Sequence, residues 1–156
     1  MKQRLDHQTL APELFRALGS VNFALSKSTL GRPLLDLIFL RVSQLNGCSY
    51  CVDMHGQDLL KEGESMRRIN AVSAWQESPF FNSQERAVLA WVETLTGLGN
   101  GPAPDSVFEP LRDHFSEKEI VELTYAIAVI NAWNRIGVGL SLIPADADQL
   151  RWAQER

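Results

Sequence analysis

Several features that mark particular classes of protein are scarce or absent in this 156-residue sequence. No stretch approaches the roughly 18 uncharged apolar residues that a membrane-spanning helix needs. The opening residues, MKQRLDHQTLAPELF, contain no apolar run typical of a secretory signal. The net charge is −4 and the Lys and Arg residues are scattered, whereas nucleic-acid-binding surfaces usually carry a basic excess. We therefore expect a cytoplasmic protein that binds neither nucleic acid nor a membrane.

Cysteine is equally scarce, and both cysteines fall in the short stretch NGCSYCVDMHG, residues 46–56. Structural disulfides are rare in the reducing cytoplasm, so a pair at C-x-x-C spacing favours a redox or metal-binding role. A structural zinc site usually has four ligands, yet the remaining histidines, His7 and His114, are isolated in the sequence. Two alternatives stay open: a catalytic zinc with three protein ligands, and two buried cysteines that act as small apolar residues.

The distribution of apolar residues predicts an all-α fold. They recur every three or four residues along most of the chain, and no segment shows the sustained period of two that marks a strand. A length of 156 residues suits one domain, so we expect a single domain, residues 1–156, of six to seven helices. Helix starts are predicted where Ser65 and Ser83 can cap the following segments, and where Ser116 and Glu119 form a capping-box pattern.

The lack of strands and the residue after the second cysteine exclude two familiar uses of C-x-x-C. Haem attachment requires a histidine directly after the second cysteine, and here Val52 follows Cys51. Thioredoxin-type chemistry uses a βαβ pattern that this chain lacks. The sequence therefore favours a redox pair on an all-α scaffold.

The segment YAIAVINAWN, residues 125–134, is apolar around much of its circumference when drawn as a helix. It can be the central helix of a monomeric bundle, or a second subunit can cover part of it. Asn131 and Asn134 interrupt this apolar surface, and our hypothesis is that they pack at a contact between subunits.

Helical geometry places Cys48, Cys51 and His55 on one face, within an arc of about 60°. Gly47 suits the left-handed position that ends one helix, which would put Cys48 in the first turn of the next. Unpaired N–H groups and the positive end of the helix dipole favour a thiolate there. Helix position thus favours Cys48 as the reactive sulfur, whereas an imidazole that accepts a thiol proton favours Cys51. The spacing alone leaves both assignments open.

The run LRVSQLNGCSYCVDMHG, residues 40–56, resembles the alkylhydroperoxidase AhpD core of the carboxymuconolactone decarboxylase-like superfamily. The similar core spans approximately residues 29–80, and the downstream segments ERAVLAWVETLT and INAWNRI are similar to the peroxidase-related branch. The resemblance implies an all-helical, oligomeric protein, with a homotrimer or homohexamer usual. It also implies a thiol-dependent peroxidase that reduces alkyl hydroperoxides. No nucleotide-binding glycine motif follows a strand in this sequence, so we expect no cofactor.

The resemblance also implies a role for each residue of the motif. Cys51 would attack the peroxide and become a sulfenic acid, and Cys48 would condense with it to a disulfide. His55 would assist proton transfer, and an external dithiol, a lipoyl protein or a thioredoxin-like protein, would reduce the disulfide. Three alternatives remain: a general thiol–disulfide oxidoreductase or redox sensor, a decarboxylase-type enzyme, and a binding protein with vestigial cysteines.

Two positions depart from the pattern of the family. Its proton relay usually includes a glutamate twelve residues before the first cysteine, and the residue here is Asp36, one methylene shorter. Well-studied AhpD proteins also carry a histidine just before the second cysteine, where this chain has Tyr50. A tyrosine hydroxyl is protonated at neutral pH, so it can donate a hydrogen bond but cannot replace the imidazole as base. Both are candidate catalytic residues, although Asp36 can also be a solvated polar residue among leucines.

Overall fold

The computed structural model describes residues 2–144. This part of the chain contains no β-strand, so the prediction of an all-α fold is confirmed. Its eight α-helices, accompanied by short 3₁₀ turns at Val72–Ala74 and Leu98–Asn100, are α1 His7–Leu10, α2 Pro12–Leu25, α3 Arg32–Asn46, α4 Ser49–Lys61, α5 Met66–Ala71, α6 Ser83–Thr96, α7 Asp105–Arg112 and α8 Glu117–Leu140.

The predicted number of six to seven helices was too low because of the short helix α1. Its four residues form one turn. Asp6 caps this turn, because its carboxylate accepts the N–H groups of Gln8 and Thr9. The turn ends at Ala11, since Pro12 begins α2 and has no N–H to continue the hydrogen bonding. A single capped turn has too little apolar periodicity to be recognised in the sequence.

Of the three predicted helix caps, those of α5 and α8 are confirmed and that of α6 is not. Ser65 caps α5, and Ser116 forms the predicted capping box at α8. Helix α6 instead begins after Asn82, whose side chain accepts the N–H of Glu85 at 2.9 Å, while the Glu85 carboxylate accepts the N–H of Asn82 at 3.0 Å. Ser83 is therefore the first helical residue, and its prediction as the cap was wrong. The reciprocal pair satisfies two N–H groups, whereas a capping serine alone satisfies one.

Helix α3 lies at the centre of the bundle and packs against α4, α6 and α8. Apolar side chains on opposite faces of α3 belong to two hydrophobic clusters. Ile38 and Val42 join the larger cluster with residues of α6 and α8, and Leu37 and Leu40 join the smaller one with residues of α4, α5 and α6. Burial on both faces explains why the segment is apolar almost throughout. It also fixes the position of the C-terminal end of α3, where the chain turns into α4.

Helix α8 contacts α2, α3, α4, α6 and α7 of the same chain, which cover part of its apolar circumference and leave Tyr125 exposed. Asn134 is 1% exposed; it accepts a hydrogen bond from Asn46 at 2.9 Å and donates one to Ser43 at 3.0 Å. Asn131 also accepts a hydrogen bond from Asn46. The two asparagines thus tie α8 to α3 within one chain. The full burial of Asn134 corrects the hypothesis that it packs between subunits, whereas for the half-buried Asn131 that contact stays a prediction. None of the helices in residues 2–144 is long and apolar enough to cross a membrane.

Candidate active site

The junction between α3 and α4 creates the site. Gly47 ends α3 with φ 67°, the left-handed conformation that glycine adopts without strain. The N–H of Cys48 then donates to the carbonyl of Ser43 at 3.0 Å, so the chain turns back at once into α4. The predicted left-handed glycine is confirmed, and Cys48 lies at the N-cap of α4, one position before the predicted first turn.

Cys48 and Cys51 are joined by a disulfide at the start of α4, and their Cα atoms are 5.3 Å apart. The Cys48 sulfur also accepts the N–H of Cys51 at 3.4 Å, as an N-cap side chain does. In the reduced protein the same N–H group and the positive end of α4 would stabilise a thiolate at Cys48. Both cysteines are buried. Because they form a disulfide, the alternative in which they act as two separate small apolar residues is set aside.

His55 lies one turn after Cys51 on the same helix and is 4% exposed. Its ring packs against Phe39, with the ring centroids 5.0 Å apart. The Nδ1 atom of His55 lies 3.4 Å from the Oδ1 atom of Asp36, an ion-pair distance that does not give hydrogen-bond geometry. Within the described residues, Nε2 of His55 has no hydrogen-bond partner either. The imidazole is therefore held in place by packing, and neither of its buried nitrogens forms a hydrogen bond within the described residues.

Asp36 is fully buried, so the interpretation of it as a solvated residue was wrong. Its Oδ2 atom accepts a hydrogen bond from Nε of Arg32 at 2.6 Å, one turn earlier on α3. The shorter aspartate thus comes within 3.4 Å of the imidazole of His55 without forming a hydrogen bond to it. The structure brings Asp36 and His55 together although they are nineteen positions apart in the sequence.

Asp58 completes a cluster of possible metal ligands with Asp36 and His55, whose nearest ligand atoms all lie within 4.8 Å of one another. Nitrogen and carboxylate oxygens are ligands that divalent transition metals accept. However, the guanidinium of Arg32 contacts both carboxylates, at 2.6 Å for Asp36 and 3.5 Å for Asp58. A metal would have to displace this positive charge, so we interpret the cluster as a charge-compensated group around the imidazole.

A cavity of about 270 Å³ opens onto Cys51 and His55. Apolar and aromatic side chains form most of its wall, among them Phe15, Met54, Ile130, Trp133 and Leu142. Tyr50 lines this cavity and also two neighbouring ones. His7, isolated in the sequence, lines the cavity as well because α1 folds over it. No sequence signal predicts this, since the position of His7 depends on how α1 docks.

Gly137 on α8 is a second residue that the sequence analysis missed. A Cβ atom at this position would lie 2.8 Å from the sulfur of Cys48 and 3.5 Å from that of Cys51. The backbone of α8 therefore packs directly against the disulfide, which only glycine permits here. An isolated glycine inside an apolar helix is the available signal for such a close approach.

An all-helical bundle with a C-x-x-C pair at a helix start and a histidine one turn later defines an AhpD-like protein. The chain belongs to the carboxymuconolactone decarboxylase family, whose sequence model matches residues 12–94. The uncharacterized protein YdfG of Bacillus subtilis (strain 168) is 36% identical over 140 residues, which cover 90% of this chain and 95% of the relative. The resemblance inferred from the cysteine motif is thus confirmed.

Solved structures support the same assignment. An Agrobacterium tumefaciens protein of unknown function, described as a candidate antioxidant defence protein AhpD, is 43% identical, with a TM-score of 0.89 over 92% of this chain and 98% of the other. The debrominase Bmp8 is 22% identical, with a TM-score of 0.79 over 91% of this chain and 76% of the other, and at this identity it shows the fold alone.

Proposed function

We propose that the protein is a thiol-dependent peroxidase that reduces organic hydroperoxides through Cys48 and Cys51. The observation that carries this proposal is the apolar cavity of about 270 Å³. Its wall contains His55 and Cys51, the second cysteine of the disulfide. Its apolar wall suits the organic part of a hydroperoxide, and the sulfur and imidazole would meet the peroxide group.

The first step would be attack of the Cys51 thiolate on the distal oxygen of ROOH. The O–O bond breaks, the sulfur becomes a sulfenic acid, and the alkoxide takes a proton to leave as ROH. His55 would deliver this proton, and Asp36 would position and electrostatically support the imidazole. Tyr50, which lines the cavity, would donate a hydrogen bond to the peroxide.

The second step would be attack of the Cys48 thiolate on the sulfenic sulfur of Cys51. The disulfide forms, and hydroxide leaves and is protonated to water. The N-cap position of Cys48 supports this role, because the N–H of Cys51 already points at its sulfur. An external dithiol, on a lipoyl or thioredoxin-like protein, would then reduce the disulfide by exchange, with no bound cofactor.

The resemblance to AhpD further leads us to propose a homotrimer or homohexamer. Large apolar side chains on α2 and α8 are available for such contacts. Leu14 and Phe23 on α2 and Tyr125 on α8 are 73%, 65% and 61% exposed.

The test is to count free thiols after the reduced protein has reacted with one equivalent of cumene hydroperoxide. We expect the wild type to lose both thiols rapidly. A sulfenic acid should be trapped by dimedone in Cys48→Ser and not in Cys51→Ser. Two thiols that stay unreacted for many minutes would contradict the peroxidase proposal and favour a thiol–disulfide oxidoreductase. Trapping in Cys51→Ser alone would reverse the roles of the two sulfurs.

A second candidate is reductive dehalogenation, which the apolar cavity beside Cys51 also suits. The fold is shared with Bmp8, a debrominase, and a cysteine variant of Bmp8 has been solved with 2,3,4-tribromopyrrole. In that reaction two thiolates would supply two electrons to an aryl bromide, bromide would leave, and a proton would replace it as the disulfide forms. Bromide release from tribromopyrrole by the reduced protein, measured beside cumene hydroperoxide reduction, distinguishes the two activities.

A further inference from the structure

We propose that the two sulfurs of the disulfide are served by separate cavities, and that a small cavity beside Cys48 admits the dithiol reductant. The need for a dithiol rests on the proposed function, but the route by which a thiol reaches the disulfide can be measured independently. The site would bind a compact thiol-bearing group, such as the end of a dithiol arm.

Each cavity is lined by a different cysteine of the pair. The larger cavity, of about 270 Å³, includes Cys51 in its wall. A smaller cavity of about 150 Å³ includes Cys48 in its wall, together with Gly137, Val138 and Ser141 at the end of α8. Tyr50 and Leu142 line both cavities.

The geometry of thiol–disulfide exchange makes this separation important. The attacking thiolate approaches along the S–S axis, opposite the sulfur that leaves. A thiolate in the smaller cavity therefore attacks the sulfur of Cys48, and the sulfur of Cys51 leaves. A thiolate in the larger cavity would attack Cys51 instead, at the place where the hydroperoxide binds.

Gly137 places no side chain over the Cys48 sulfur on this side. A Cβ atom there would lie 2.8 Å from that sulfur, so the glycine leaves free the space that any other side chain would cover. Val138, the next residue, is 49% exposed and lies at the wall of the cavity. The exposed Val138 therefore forms the rim of the cavity, next to Gly137, which has no side chain over the disulfide.

The proposed exchange balances. One thiolate of the dithiol bonds to the sulfur of Cys48, the Cys48–Cys51 bond breaks, and Cys51 leaves as a thiolate. The second thiolate of the dithiol attacks the dithiol's own bonded sulfur, which releases Cys48 as a thiolate and leaves the reductant as a cyclic disulfide. Two electrons pass from the dithiol to the protein. Cys51 is regenerated beside His55 and the peroxide cavity, ready for the next turnover.

The direct experiment maps the first bond that forms. Oxidised protein, prepared with diamide so that it requires no peroxidase activity, is mixed with excess 2-mercaptoethanol, quenched with acid, alkylated and analysed by peptide mass spectrometry. We expect the mercaptoethanol adduct on Cys48 and the alkyl group on Cys51. The opposite distribution, or an equal one, would overturn the proposal.

A kinetic experiment tests the route with three tryptophan substitutions. Val138→Trp narrows the cavity at Cys48, Met54→Trp narrows the cavity at Cys51, and Leu60→Trp is a control on α4 outside both. Leu60 is 41% exposed and Met54 is 37% exposed, so both sites can accept a larger side chain. Rates of disulfide reduction by dithiothreitol and of thiol oxidation by cumene hydroperoxide are measured for each variant by quenched alkylation.

We expect Val138→Trp to slow reduction by dithiothreitol at least about ten-fold relative to Leu60→Trp. Met54→Trp should affect reduction less than Val138→Trp does. Reduction that is slowed more by Met54→Trp, or equally by both, would overturn the proposal. Failure of the wild type to react with cumene hydroperoxide would contradict the peroxidase function alone, because reduction of the diamide-oxidised protein would still locate the thiol route.

Discussion

Two acidic side chains each accept a hydrogen bond from an arginine of α3, but their surroundings differ. Glu93 of α6 has its Oε1 atom filled: it accepts Nε and Nη2 of Arg41 at 3.1 and 2.6 Å and Nε1 of Trp75 at 2.6 Å. Its Oε2 atom accepts Nε2 of Gln76 at 3.0 Å. Both oxygens of this carboxylate are hydrogen-bonded, as expected for a group that stabilises the contact between α3 and α6.

Asp36 is more deeply buried and less well satisfied. It is fully buried, whereas the Glu93 side chain is 27% exposed. Arg32 donates to Oδ2, but Oδ1 lies 3.4 Å from Nδ1 of His55 without hydrogen-bond geometry. A buried polar atom without a partner costs about 1–3 kcal/mol, so its retention points to a use other than stability. The comparison supports the proposal that the incompletely bonded carboxylate, next to the imidazole of His55, serves the proton transfer.

The largest expected effect comes from neutralising Asp36. We expect Asp36→Asn to lower the rate of Cys51 oxidation by cumene hydroperoxide about 100-fold, within the range for loss of acid–base catalysis. Asp36→Glu retains the carboxylate and should recover at least a tenth of the wild-type rate, which a merely steric role would not predict. Both rates are measured by quenched alkylation, with thermal melting to check the fold. If Asp36→Asn reacted within two-fold of the wild-type rate, the proposed catalytic role of Asp36, which distinguishes it from Glu93, would be contradicted.

The second effect concerns the packing on the other side of the site. Gly137→Ala places a methyl group 2.8 Å from the Cys48 sulfur, whereas Gly139→Ala on the same helix meets no atom within 4 Å. We expect the oxidised Gly137→Ala protein to lose about 2 kcal/mol in its free energy of unfolding, as overpacked cores do. Gly139→Ala should be neutral or stabilising, because alanine is the better helix former. Urea unfolding of both oxidised variants measures the difference, and equal changes would contradict the close packing.

The sequence predicts the parts of the site that depend on local geometry. The left-handed Gly47 and the shared face of Cys51 and His55 follow from residue type and from the helical repeat, both of which act over a few residues. The family resemblance added the expected roles of the two sulfurs.

What the sequence could not predict depends on packing between distant segments. Asp36 lies near His55 only because α3 and α4 lie side by side, and His7 reaches the cavity only because α1 folds over it. The role of Gly137 depends on a contact between α8 and the start of α4. The cap at Asn82 was missed for a local reason, since several neighbouring residues can cap a helix and the reciprocal bond with Glu85 decides among them.

The smallest expected effect tests the other half of the comparison. Glu93→Gln keeps an acceptor oxygen for Arg41 and Trp75 but removes the negative charge from hydrogen bonds that are charge-assisted. We expect a loss of about 1 kcal/mol in the free energy of unfolding, measured by urea denaturation, and a Cys51 oxidation rate within two-fold of wild type. Asp36→Asn should show the reverse pattern, with the larger change in rate and the smaller one in stability. The contrary result is that Glu93→Gln slows oxidation as strongly as Asp36→Asn does. That result would mean that loss of either carboxylate lowers the rate by disturbing the helical bundle. The difference in hydrogen bonding between the two carboxylates would then not indicate a catalytic role for Asp36.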